Sequence, residues 1–174
     1  MESGLEHILT NSYKAGMISY IKSHPEDFDE LIKLALADKQ KYSWRAAWLL
    51  WSCMEKNDAR ILPYVKGFID ALESRKDNQL RELLMILERM ELSEEYEGRL
   101  FDVCVNVWKE IGKKPSIRHK ALTHIVKIGK KYSDLTNEII FLTQPNYTNS
   151  LSGGVKRCVN KMVESLKQNR MKEI

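Results

Sequence analysis

Arg45, Arg81 and Arg118 stand 36 and 37 residues apart, each near the start of an apolar-rich stretch with helical periodicity. A chain that repeats at this interval, with two helical patterns per unit, must stack its helix pairs, because one pair cannot bury its own apolar stripe. Aligning the three arginines brings Trp44, Leu80 and Ile117 into one column, Trp48, Leu84 and Ala121 into a second, and Leu49, Met85 and Leu122 into a third. Offsets of four and five from the first column place all three on one helical face, the expected core face, with the arginine just beside it.

Helical periodicity recurs over 4–22, 25–37, 43–56, 59–75, 78–91, 94–112, 116–131, 134–143 and 153–169, and no alternating run is long enough for a strand. The prediction is all-α. Ser23, Pro25, Glu26 and Asp27 form a helix-start signal, as do Ser93 with Glu94 and Glu95, and Lys114 with Pro115. At 174 residues and 43% hydrophobic composition, a single domain over 1–174 with a continuous core is expected. No apolar run reaches the roughly 18 to 20 residues a membrane span needs. The opening Met1, Glu2 and Glu6 lack the basic-then-apolar order of a secretory signal, so the cytoplasm is the expected location. The sequon at Asn146, Tyr147 and Thr148 then has no consequence. Cys53, Cys104 and Cys158 are too far apart for a metal or redox motif and read as small core residues.

The run Ile117-Arg118-His119-Lys120-Ala121-Leu122 resembles the second helix of a HEAT repeat, where a β-branched residue and arginine precede alanine and leucine. Trp44-Arg45-Ala46-Ala47-Trp48-Leu49 is similar but carries Trp48 at the alanine position, and Leu84 replaces it after Arg81. Asp58 to Tyr64, with Pro63, is similar to the proline-bearing first helix. The resemblance covers about 25–170 and implies an α-α superhelix, right-handed, of about four stacked helix pairs. It further implies second helices lining a concave face whose usual work is to hold another macromolecule.

The 43–56 segment leaves almost no polar face, through Trp44, Ala46, Ala47, Trp48, Leu49, Leu50, Trp51, Cys53 and Met54. Two readings stand: a helix covered by neighbours all round, or a ledge on which Trp51 anchors a partner or a stacked base. Leu50 and Trp51 align with Thr123 and His124, positions expected away from the core rows.

Between 109 and 131 eight basic residues, Lys109, Lys113, Lys114, Arg118, Lys120, Lys127, Lys130 and Lys131, face one acid, Glu110. Such a cluster neutralises phosphates, or is simply a solvated face. Trp44-Arg45 and the basic second helices also resemble the DNA glycosylases built from HEAT-like repeats, which depend on an acid set among tryptophans. That constellation has no match here, since Asp58, the nearest acid, reads as a helix cap.

No set of acid, base and nucleophile is visible, so neither a catalytic residue nor a cofactor is assigned. His119 and His124 diverge by about 140 degrees on a helix and do not form a metal pair. Gly153 and Gly154 at a helix start read as a hinge after the turn-rich segment from Gln144 to Ser152, itself a secondary candidate for partner contact. The leading expectation is an interaction module that binds a protein partner through Arg45, Trp51, Arg81, Arg118, His119 and Lys120. The alternative is nucleic-acid contact through Lys113, Lys114, Lys127, Lys130 and Lys131. The arginine column serves either the ligand or the internal wiring between units. Leu5, Ile8, Leu9, Met17 and Ile21 cap the stack or dimerise, and oligomeric state stays open.

Overall fold

The computed structural model describes residues 3–39 and 41–172. Among them every regular element is helical, in the order α1 (Gly4–Asn11), α2 (Lys14–Ser23), α3 (Phe28–Leu36), α4 (Ser43–Cys53), α5 (Val65–Leu72) and α6 (Asp77–Glu88). There follow α7 (Glu94–Lys109), α8 (Pro115–Gly129), α9 (Thr136–Leu142), α10 (Pro145–Thr148) and α11 (Gly153–Met171). The chain divides into two compact units, Met1–Leu92 and Ser93–Ile174.

In the first unit α3 buries Phe28, Leu31, Ile32 and Ala35, and α5 buries Val65, Phe68, Ile69 and Leu72, the same i, i+3, i+4, i+7 stripe. Both stripes close on second helices, α3 on α4 and α5 on α6. Polar side chains finish the helix ends: Gln79 donates to the carbonyls of Ala35 and Ala37, at 2.9 and 2.8 Å, and Arg75 to that of Leu36 at 2.8 Å. Those bonds satisfy carbonyls that the end of α3 leaves open. The first helices α3, α5 and α9 are entered through 3-10 turns, Pro25–Asp27, Leu62–Tyr64 and Ser133–Leu135. Two of these turns carry a proline, whose fixed φ suits a helix start.

The 4–22 segment is not one helix. Ser12 and Tyr13 are extended, and the turn before them is diverted: Thr10 Oγ1 donates to the carbonyls of Glu6 and His7, and Asn11 Nδ2 to that of His7. Short polar side chains here compete with the helical ladder. Leu5, Leu9, Met17 and Ile21 are buried inside this unit, with Ile8 half-exposed. Asp58 is not a helix cap. It closes the loop after α4, accepting from the amides of Glu55 and Arg60, both at 3.1 Å, and from Arg60 Nε and Nη2 at 2.9 and 2.6 Å.

In the second unit α7 packs along α8, which also carries α9 and α11. Gly129 lets α9 come close, since a Cβ there would stand 2.2 Å from Ile139 Cδ1. Gly153 opens α11, where Ser152 Oγ accepts from the Val155 amide at 3.4 Å. The segment before it holds the short helix α10 rather than an irregular loop. Cysteine burial is graded, with Cys104 buried, Cys53 intermediate and Cys158 exposed on α11, so Cys158 is not the core residue expected. Burial pushes the Cys104 thiol well above its ordinary pKa.

Candidate functional site

Trp44, Trp48 and Trp51 follow one another at i, i+4 and i+7, and all three are half-buried along one face of α4. Ala46, Ala47, Leu49 and Leu50 fill the rest of the helix contact and are fully buried. The helix is therefore neither enclosed all round nor a bare ledge. Its small alanines press into the core, and that rotates the tryptophans outward, which corrects the expected place of Trp44 and Trp48 on the core face. Trp48 and Trp51 meet edge to face with centroids 6.2 Å apart, Lys14 Nζ sits 4.7 Å above the Trp48 ring, and the Arg45 guanidinium lies 5.8 Å from the Trp44 ring. The ring edges offer stacking surface and the cations beside them attract anionic groups.

Glu82 of α6 is only 7% exposed and joins two of the expected site residues. Its Oε2 accepts from Trp51 Nε1 and its Oε1 from Arg81 Nη1 at 2.8 Å. This is an acid beside one tryptophan, which sequence spacing did not locate because Glu82 lies 31 residues from Trp51 and meets it only through packing. Both of its oxygens are occupied by protein donors.

The arginine column is wired inward to different degrees. Arg45 donates from Nη2 to the carbonyl of Ser12 and approaches Met17 Sδ, while Arg81 stays 40% exposed beside Glu82. Arg118 is fully buried, which corrects its expected place among partner contacts. Its Nε donates to the carbonyl of Trp108 at 2.8 Å and its Nη2 to that of Tyr147 at 2.6 Å. Burial pulls its pKa below the ordinary arginine value. Leu50 and His124 are buried too, although both of their columns were expected away from the core.

His119 and Lys120 are half-exposed on α8. Of the basic cluster, Lys109, Lys114, Lys127, Lys130 and Lys131 are exposed, and Lys113 pairs with Glu110 at 3.4 Å and Lys131 with Glu97. The cluster is thus partly engaged by the protein itself. Lys120, Lys127 and Lys130 still share the outer side of α8 and its end, by their i, i+7 and i+10 spacing.

A second feature gave no signal in the sequence. Within the second unit α7 and the α9 region part to leave a cleft of about 440 Å³. Phe101, Ile128, Leu135 and the Tyr132 ring floor it, and Glu94, Asp102, Asp134 and Glu138 stand around it. All four carboxylates are exposed, and among the described residues none has an ion-pair partner. Glu97, by contrast, is fully engaged, accepting from the Tyr132 hydroxyl at 2.9 Å and from Lys131. Gly98 lies in the cleft wall in the second turn of α7, where glycine costs about 1 kcal/mol against alanine. A Cβ at Gly98 would meet nothing within 4 Å, so internal packing does not explain it.

The described residues contain no group of three or more His, Cys, Asp or Glu side chains able to hold a metal. No described helix is long and apolar enough to cross a membrane. The paired helices, the periodic arginines and the outward face of a second helix define a repeat protein of the helix-pair type. The family model for the HEAT repeat domain matches residues 1–166, and the chain belongs to that family. No curated protein and no solved structure matches it.

Proposed function

We propose that this HEAT-repeat protein is a non-catalytic cytoplasmic scaffold that binds a protein partner on its second helices, with the α4 tryptophan face as the anchor. The observation that carries this reading is the half-exposed stripe of Trp44, Trp48 and Trp51, flanked by Lys14, Arg45 and Arg81. Tryptophan and arginine dominate the energetics of protein interfaces, because they bury large rigid area and still offer polar edges. HEAT-repeat domains commonly serve as interaction scaffolds. Glu82, the acid beside this face, has both oxygens taken and is a poor general base. The test is quantitative affinity purification with the wild type, Trp48→Ser, and Lys161→Glu on α11 as a control. A partner retained by the wild type and the control but lost by a normally folded Trp48→Ser protein supports the reading; an unchanged set of bound proteins overturns it.

A second reading, nucleic-acid binding on α8, rests on the shared outer face of Lys120, Lys127 and Lys130. Phosphate contacts release counterions, so affinity for DNA or RNA would fall steeply with salt. Titration beside a Lys120→Glu, Lys127→Glu variant decides it. Binding that survives physiological salt and fails in the variant supports this reading, and absence of binding at low salt removes it.

A further inference from the structure

We propose that the cleft of the second unit is a docking groove for a lysine- or arginine-bearing segment of a partner protein, with the apolar stems laid on its floor and the cations among its four carboxylates. The first argument is charge complementarity. The whole chain is net positive, +4, yet Glu94, Asp102, Asp134 and Glu138 gather around one apolar floor with no cation paired to any of them among the described residues. Carboxylates beside a low-dielectric wall focus a negative field into the space between them, and an incoming cation relieves their mutual repulsion.

The floor selects the kind of cation. Phe101 and Ile128 are buried beneath it, and the half-exposed Leu135 and Tyr132 ring offer apolar surface, which a compact hydrated ion does not use. The aliphatic stem of lysine or arginine does use it, keeping its charged head at the rim. Reach points the same way. Glu94 and Asp102 are eight residues apart on α7, a span of about 12 Å along the helix. Two cations spaced along one polypeptide match that length, and a single small cation does not.

Gly98 and Glu97 complete the case. Gly98 leaves the wall bare where a side chain would find open space, so a partner backbone can approach closely. Glu97, held by Tyr132 and Lys131, ties the segment after α8 to α7 and sets the wall before any partner arrives. The groove lies in the second unit and uses none of the tryptophan face, so either assignment can fail alone.

The experiment titrates the full chain, by fluorescence anisotropy, with a short labelled amphipathic peptide carrying leucines on one face and arginines on the other. Its lysine and glutamate counterparts are run in parallel. The arginine and lysine peptides are expected to bind and the glutamate peptide not to. Asp134→Asn with Glu138→Gln should weaken binding about tenfold. Gly98→Met, which fills the groove, should abolish binding while leaving the melting temperature unchanged or higher. Equal binding to both variants, or none to the wild type, overturns the proposal. So does spermidine binding with the same sensitivity to Gly98→Met, which assigns the groove to a free polyamine. A concentration-dependent dimer lost in Gly98→Met, seen by sedimentation, assigns it to a second copy and equally overturns the proposal.

Discussion

Arg118 lies over the ring of Trp108, with its guanidinium carbon 4.5 Å from the centroid, and donates to the carbonyl of that same tryptophan at 2.8 Å. Among the described residues no carboxylate pairs with this charge. Its compensation comes from the carbonyl of Trp108 in the last turn of α7, the carbonyl of Tyr147 in the last turn of α10, and the π face. Helix C-terminal carbonyls carry partial negative charge and are left open by the helix itself, so a buried guanidinium and two helix ends satisfy one another. Trp108 Nε1 extends the network to the carbonyl of Leu142 at 2.7 Å, which ends α9.

Removing that guanidinium strands buried carbonyls as well as losing its own bonds. Arg118→Ala is expected to cost about 3 kcal/mol, and Arg118→Lys nearly as much, because a single ammonium cannot reproduce the planar fork. Urea denaturation of the two variants checks this, and near-wild-type stability for Arg118→Lys would refute the fork argument.

Glu82 holds Trp51 and Arg81 together, so its loss leaves the half-buried indole N–H of Trp51 without this acceptor. Glu82→Ala should lower stability by about 2 kcal/mol, while Glu82→Gln, which keeps one acceptor oxygen, should lose about half of that. Arg81→Ala removes a partly exposed pair and should cost about 0.5 kcal/mol. Thermal melts of the three rank them, and a larger loss for Arg81→Ala than for Glu82→Ala would reverse this account.

Asp58 sets an acid limit on the first unit. The Arg60 guanidinium, with the amides of Glu55 and Arg60, holds its carboxyl down to about 2, against an ordinary value of 3.8. A folded pKa below the unfolded one means the stabilisation is complete above about pH 4 and is lost as pH falls towards 2; it amounts to about 2 kcal/mol. Asp58→Asn should be less stable than the wild type at neutral pH and converge with it in acid, as measured by denaturant midpoints across the range. Parallel pH curves would exclude Asp58 as a source of this dependence.

Two glycines should respond in opposite directions to the same methyl group. Gly98→Ala is expected to stabilise by about 0.5–1 kcal/mol, since the new Cβ meets open space on a helix. Gly129→Ala drives a Cβ against Ile139 and should destabilise by about 1–3 kcal/mol. Melting temperatures of the pair test the account, and shifts of the same sign would refute it.

The repeat and its helices were legible because apolar periodicity is local information. Of the aligned core rows, Leu49, Leu80, Leu84, Ile117, Ala121 and Leu122 are buried as spacing put them, whereas Trp44, Trp48 and Met85 are half-exposed. Depth was not legible. Arg118 occupies the same column as Arg81, yet its solvating carbonyl at Tyr147 lies 29 residues on, beyond any local pattern. The Ser12–Tyr13 break was hidden because two short polar side chains, Thr10 and Asn11, bond back to the helix end there against a continuous apolar stripe. Glu82 and the rim carboxylates were ordinary solvated acids in the sequence; packing made one buried and gathered the others at a cleft.

The placement of the tryptophans has a consequence for anyone studying this protein in solution. Three line the outer face of α4 in the first unit, and the fourth, Trp108, is sealed in the second. Intrinsic fluorescence therefore separates into two channels. Emission accessible to a soluble quencher reports what touches the α4 face, and the quencher-resistant, bluer remainder reports whether the other unit is still folded. Occupancy and integrity can then be followed in a single unlabelled cuvette.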